Sequence, residues 1–244
     1  MTIDKYVFSS RGGRERNEDA AFAFSEDDKG IFIVADGLGG HKDGNVASSS
    51  TVEYFRELWL GREEEALTKE WIEAAIRGAN DNLLSLQKET RSNMRSTLAL
   101  LLVDGENSFW ANVGDSRVYF IRGGELAKIT EDHSFAFLKF KSGDIRRADI
   151  VRDADQSRLL RSIGDESRNV PDVYENRRPL KKDDAFMLCS DGLWEYLNDD
   201  EVMTDYLKSD GAREWAERLL LRAISRIRSG NDNLSIVTAI VKES

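Results

Sequence analysis

Six consecutive apolar residues, Leu98-Ala99-Leu100-Leu101-Leu102-Val103, limit the folds open to this chain more than any other feature. The run is far short of the roughly 20 residues that cross a bilayer. A half-exposed strand alternates apolar and polar residues, and this one does not, so both of its faces must be covered. It therefore reads as a central strand with a layer on each side.

Other segments rich in Val, Ile, Leu, Phe and Tyr, bounded by Gly or Asp, predict strands at Tyr6–Ser9, Ile31–Ala35, Ser108–Val113, Val118–Ile121, Asp184–Leu188 and Leu234–Val241. The turn Asn112-Val113-Gly114-Asp115-Ser116, between two such runs, predicts a β-hairpin. Apolar residues at three- and four-residue spacing predict helices over Gly44–Leu60, Thr68–Gln87 and Ala212–Arg228. Long helices fall between groups of strands and do not follow every strand. That order favours helices layered on antiparallel sheets over a parallel doubly wound fold. Only two prolines and no Ser/Gly/Pro-rich linker interrupt the 244 residues, so one domain, 1–244, is expected. Ser134–Ser162, rich in Lys, Arg and Asp, is expected to form either a solvated excursion or a flap beside a site that handles anions.

Composition removes several function classes. With 40% apolar residues the chain can build a core, which excludes disorder. A single cysteine, Cys189, excludes a disulfide framework and a Cys-based zinc cluster, and two histidines exclude a His-rich metal site. A net charge of −10 argues against nucleic acid as a partner. No segment is apolar enough to span or signal into a membrane, so the expectation is a cytoplasmic protein, and a monomer. Any metal must be held through oxygen, which favours Mg²⁺, Mn²⁺ or Ca²⁺.

Carboxylates recur at strand ends beside glycine: Asn17-Glu18-Asp19, Ala35-Asp36-Gly37, Gly114-Asp115-Ser116, Ser190-Asp191-Gly192 and Asn231-Asp232-Asn233. One Asp-Gly after a strand is ordinarily a turn. Several at rigid strand ends can aim at one point, where they repel unless cations lie between them. Two hard cations about 3.5–4 Å apart perform hydrolysis.

In order and spacing these segments resemble the metal-dependent Ser/Thr protein phosphatases of type 2C. The matching runs are Arg14-Glu15-Arg16-Asn17-Glu18-Asp19, Ala35-Asp36-Gly37-Leu38-Gly39-Gly40-His41, Gly114-Asp115-Ser116-Arg117, Ser190-Asp191-Gly192-Leu193-Trp194 and Asp232-Asn233-Leu234-Ser235. Leu-Gly-Gly-His after Asp-Gly is similar to the bacterial branch. The resemblance implies an α+β fold, a four-layer α-β-β-α sandwich of two antiparallel sheets flanked by helix pairs. It implies two core Mn²⁺ or Mg²⁺ ions, with Asp36 bridging them, the Gly37 carbonyl on one, and Asp191 and Asp232 on the other. Glu18 and Asp19 would accept from metal waters, Arg14 would grip the substrate phosphate, and Asp115 with Asp191 would hold a third ion. The implied reaction is hydrolysis of phosphoserine and phosphothreonine in proteins by a metal-activated water, opposite a cognate Ser/Thr kinase. The sequence departs from the family at Leu38, where some members have histidine, and at Ser96-Thr97 in place of Gly-Thr. His41 does not inherit the histidine's role.

Competing readings are weaker. A cysteine phosphatase needs arginine six residues after Cys189, and Glu195 stands there. The Asp153–Ser157 segment has Arg158 where a calcium loop requires glycine. His133 reads as a structural hydrogen-bonding residue, and Arg16 and Arg117 read equally as ion-pair partners or substrate ligands. A catalytically inactive binding module would lack metal carboxylates, and Asp36, Asp115, Asp191 and Asp232 are all present.

Overall fold

The computed structural model describes residues 1–39, 43–62, 66–166, 171–176 and 178–243. Gly40 and His41 of the glycine-rich motif lie outside them.

Leu98–Val103 is the centre of β5 (Leu98–Asp104). Alternate residues face opposite ways, as strand geometry requires. Leu98, Leu100 and Leu102 pack toward α1 (Asp43–Leu60) and α2 (Lys69–Thr90), while Ala99, Leu101 and Val103 pack toward a second sheet. β5 belongs to a sheet ordered β2 (Asp19–Glu26), β3 (Lys29–Leu38), β5, β6 (Asn107–Val113), β9 (Asp172–Asn176), with the short β4 (Arg95–Ser96) also on β3. The facing sheet runs β1 (Thr2–Ser10), β11 (Leu234–Lys242), β10 (Ala185–Cys189), β7 (Arg117–Arg122), β8 (Glu125–Ile129). Its outer face is covered by α3 (Phe135–Ser142), α4 (Asp191–Trp194), α5 (Asp199–Leu207) and α6 (Ala212–Arg226). The pairings are antiparallel throughout, so the four-layer sandwich expected from the sequence is the fold. Between the sheets Phe120 stacks on Phe186 with centroids 4.7 Å apart, and Trp110 packs against both.

Each expected strand and helix has its counterpart, with shifted ends. α2 starts after Thr68, whose hydroxyl accepts from Trp71 N–H, and stops at Arg91 in the left-handed region. One expectation fails. β6 and β7 do not pair as a hairpin: β6 lies between β5 and β9 in one sheet, and β7 lies between β10 and β8 in the other. Gly114-Asp115-Ser116 carries the chain across the sandwich. Both strands are buried on both faces, so each pairs with a strand of its own sheet on either side. Gly114 makes the crossing possible at φ +93°, and a Cβ there would sit 2.7 Å from Thr97 Cγ2. Gly114→Ala is expected to cost about 1–3 kcal/mol, from left-handed strain plus this overlap. Urea denaturation checks it, and an unchanged midpoint contradicts the crossing geometry.

Candidate metal centre

The chain places its carboxylates where the two sheets meet at one end. Asp36 lies near the end of β3 in register with Asp19 of β2. Asp191 starts α4 directly after β10, and Asp232 precedes β11 in the other sheet. A cavity of about 420 Å³ opens between them, lined by Arg14, Glu18, Asp36, Gly37, Asp191 and Asp232, with Arg16, Ser157 and Asn233 among its other walls. Six of the eight residues singled out in the sequence therefore share one cavity. The other two, Asp19 and Asp115, are buried behind it, 7% and 4% exposed.

Backbone contacts fix Asp36. Its N–H donates to Thr97 Oγ1 (2.8 Å), and its carbonyl accepts from Thr97 N–H (2.8 Å). Gly37 N–H donates to the Glu18 carbonyl (3.0 Å). The start of α1 crosses so close to this point that a Cβ on Gly37 would lie 1.9 Å from the Gly44 carbonyl oxygen. Only glycine fits. Asn233 joins the N-terminal loop to the last strand: its Oδ1 accepts from Glu18 N–H (2.8 Å), and its Nδ2 donates to the Arg11 and Arg16 carbonyls (both 2.9 Å).

The electrostatics are those of a charge cluster lacking counter-charge. Burial holds the Asp36 carboxyl well above the usual range, and Asp19, Asp191, Asp115 and Asp232 push it further. Asp115 is raised well above its ordinary value by burial and then by Asp191. Asp191 is raised by burial and Asp232, against a hydrogen bond with Asp36. Burial lifts Asp19 to about 7, although Ser190 Oγ donates to its Oδ2 (2.7 Å). Glu18 is raised by burial and Asp232. Asp19 Oδ1 and Asp191 Oδ1 are buried with no hydrogen-bond partner. Unpaired buried carboxylate oxygens are costly, and divalent cations with an all-oxygen preference fit them. Among the described residues no three His, Cys, Asp or Glu side chains already close into a coordination cage. Instead Arg14 Nη2 holds Asp232 Oδ2 at 2.8 Å. A Mg²⁺-type site needs no closed cage, because such ions keep several waters and use one or two carboxylates.

The Asp115 turn is held from three sides. Gly114 N–H donates to His133 Nδ1 (3.2 Å), and His133 N–H donates to the Gly114 carbonyl (2.8 Å), which is the structural role expected of His133. Trp194 Nε1 donates to the Asp115 carbonyl (2.9 Å). The Arg117 guanidinium lies 3.5 Å from the Trp194 ring centroid and grips Asp132 through Nε (2.7 Å) and Nη2 (2.6 Å). Arg117 is thus an ion-pair partner. Sequence reasoning also missed Glu195, lifted to about 7 by burial, Asp191 and Asp232. It stands four residues after Asp191, one helical turn on, which was the available signal.

Ser134–Ser162 folds into α3 and a 3-10 turn at Arg147–Arg152, with its root fixed by the Ser134–Leu159 bridge. Four of its cations are matched by carboxylates: Lys139 by Asp153 and Asp155, Arg146 by Asp149, Arg147 by Asp199 and Arg158 by Asp155. Ser157 carries the segment to the cavity wall.

The chain matches the family model described as protein phosphatase 2C over residues 9–219. It is 33% identical over 233 residues to a serine/threonine phosphatase stp of Listeria welshimeri serovar 6b, covering 92% of this chain and 90% of that one. Among solved structures it is similar to serine/threonine phosphatase Stp1 from Staphylococcus aureus (TM-score 0.89, 26% identity, 100% and 96% of the two chains). It is also similar to the catalytic domain of the phosphatase PstP in complex with two manganese ions (TM-score 0.84, 28% identity, 99% of each chain).

Proposed function

This chain belongs to the protein phosphatase 2C family, and on that premise we propose how its residues divide the work of a metal-dependent phosphoserine/phosphothreonine protein phosphatase. Asp36, Asp191, Asp232 and the Gly37 carbonyl hold two Mn²⁺ or Mg²⁺ ions. Asp115 and Asp191 hold a third. When bound, such ions make water acidic enough to attack phosphorus and offset charge on the phosphoryl oxygens.

The remaining work falls to the chain. Arg14, on the cavity wall, turns from Asp232 to the substrate phosphate, which a guanidinium fork suits better than a point charge. Glu18 and Asp19 accept hydrogen bonds from ordered water beside the ions. Thr97 keeps the Asp36 backbone from shifting. Leu38, on the cavity wall, offers no proton to the departing alkoxide. The carrying observation is the set of buried, uncompensated carboxylates headed by Asp36, with Asp19 Oδ1 and Asp191 Oδ1 unpartnered. Phosphopeptide hydrolysis with Mn²⁺, and after exhaustive EDTA treatment, tests the assignment, with DNA as the control substrate. Undiminished turnover without metal overturns it.

Arg14→Ala is expected to raise KM about tenfold or more, the worth of one charge-assisted contact, with a smaller change in kcat. An unchanged KM counts against phosphate contact. We also infer one catalytic domain that acts as a monomer in the cytoplasm, opposite a Ser/Thr kinase with the same substrates. Gel filtration checks the first part, and co-expression with a kinase checks the second.

A further inference from the structure

Two guanidinium groups on the N-terminal loop reach the cavity, and only one has a carboxylate to hold. Arg14 is bonded to Asp232. Arg16 lines the same cavity, is exposed, and forms no ion pair within 4.0 Å among the described residues. Its electrostatic neighbour is Glu18, which it pulls toward the charged form from a distance. Other arginines near the site are committed: Arg117 to Asp132, Arg158 to Asp155 and Arg161 to Asp172.

The loop carrying Arg16 is not free to drift. Asn233 Nδ2 donates to the Arg16 carbonyl, and Asn233 Oδ1 accepts from Glu18 N–H. The position of Arg16 is therefore set from the residue next to Asp232. Two residues of chain span at most about 7 Å, close to the separation of alternate residues in an extended peptide. With Arg14 on the phosphate to be hydrolysed, Arg16 reaches a group within about two residues of it.

We propose that Arg16 is a specificity-determining residue that receives a second anion of the substrate, an Asp or Glu carboxylate or a second phosphoryl group flanking the residue hydrolysed. The assignment rests on the phosphatase reading of the same cavity. It selects acidic or multiply phosphorylated segments in spite of the net charge of −10, because the selection is local to the cavity mouth. Exposed ion pairs are worth up to roughly fivefold in affinity, and a guanidinium–phosphate fork is worth more.

The test is a series of phosphothreonine peptides with Mn²⁺-loaded protein. One member has neutral flanks, others have Asp at each of the two positions on either side, and others have phosphoserine at those positions. Wild type is expected to favour the best acidic peptide over the neutral one about three- to fivefold in kcat/KM, through KM, with the ratio shrinking as salt rises. The doubly phosphorylated arm separates a carboxylate from a phosphate as the preferred anion. Arg16→Ala is expected to bring the acidic-to-neutral ratio to about one, and Arg16→Glu to invert it, with melting temperatures unchanged. A wild type that cleaves acidic and neutral peptides equally, or an Arg16→Ala variant that keeps the full ratio, overturns the role of Arg16 alone. A wild type that hydrolyses none of the peptides overturns the phosphatase reading itself.

Discussion

Asp36→Asn is expected to make the metal-free protein more stable while removing its activity. In the absence of ions the Asp36 carboxyl is buried and faced by Asp19, Asp191, Asp115 and Asp232. An amide of the same shape carries no charge to repel them and can donate a hydrogen bond to Asp191. The same change strips charge from the ligand proposed to bridge the ions. The loss in kcat/KM should exceed the roughly 10–100-fold seen when groups that merely support a ligand are removed. For a chain of this length each kcal/mol of stabilisation raises Tm by about 2–4 °C. Calorimetry in EDTA and phosphopeptide kinetics in Mn²⁺ read the two effects separately. A lower Tm for the variant without metal would mean that Asp36 is a structural hydrogen-bonding group and not a frustrated charge.

The second large effect joins metal to pH. Asp19 and Glu195 titrate near 7 in the folded chain, against ordinary values of 3.8 and 4.5. Between those limits the native state binds more protons than the unfolded chain. Its stability is therefore greatest below about pH 4 as far as these groups are concerned, and falls as pH rises toward 7. Carboxylates with lowered values, such as Asp172 and Glu201, act in the opposite sense, but only at and below the ordinary carboxylate range. The metal-free Tm should accordingly decline from pH 5 to 7.5. The positive charge of bound Mn²⁺ favours the ionised forms of these carboxyls, so the decline should disappear with metal, and affinity should rise with pH. At one hundred times Kd each ion adds about 2.7 kcal/mol, and two ions raise Tm by about 10–20 °C. Thermal melting across this window, with and without Mn²⁺, is the measurement. A metal-free Tm that climbs through it would contradict the cluster.

The central strand, the three long helices and the carboxylate pattern were legible because each is a local signal. β5 is apolar on both faces, and α1, α2 and α6 carry apolar stripes at helical spacing. The strands β2, β8 and β9 were not read, because they lie at sheet edges and need few apolar residues. The hairpin expected at Asn112–Ser116 failed for a different reason. A turn sequence states that the chain bends, not which sheet it bends into, and here the partners β9 and β10 lie some sixty to seventy residues away. In the site, residue types beside glycine identified which carboxylates gather. They did not distinguish those lining the cavity, such as Asp191, from those behind it, such as Asp19. The pairing of Arg117 with Asp132 beneath Trp194 left no local trace.

The crossing at Gly114-Asp115-Ser116 has a dynamic consequence. Asp36 and Asp19 belong to one sheet, Asp191 and Asp232 flank strands of the other, and Asp115 lies on the link between them. Ions held by this set add charged ties between two sheets that otherwise meet through apolar packing and a few hydrogen bonds, such as Ser190 to Asp19 and Lys5 to Ser25. Neither sheet can then open at that end without releasing metal. Metal binding should merge separate opening events into one cooperative unit, so amide hydrogens at the ends of β3 and β10 should slow together on Mn²⁺ addition. Those of β8, at the far edge, should keep their own rate.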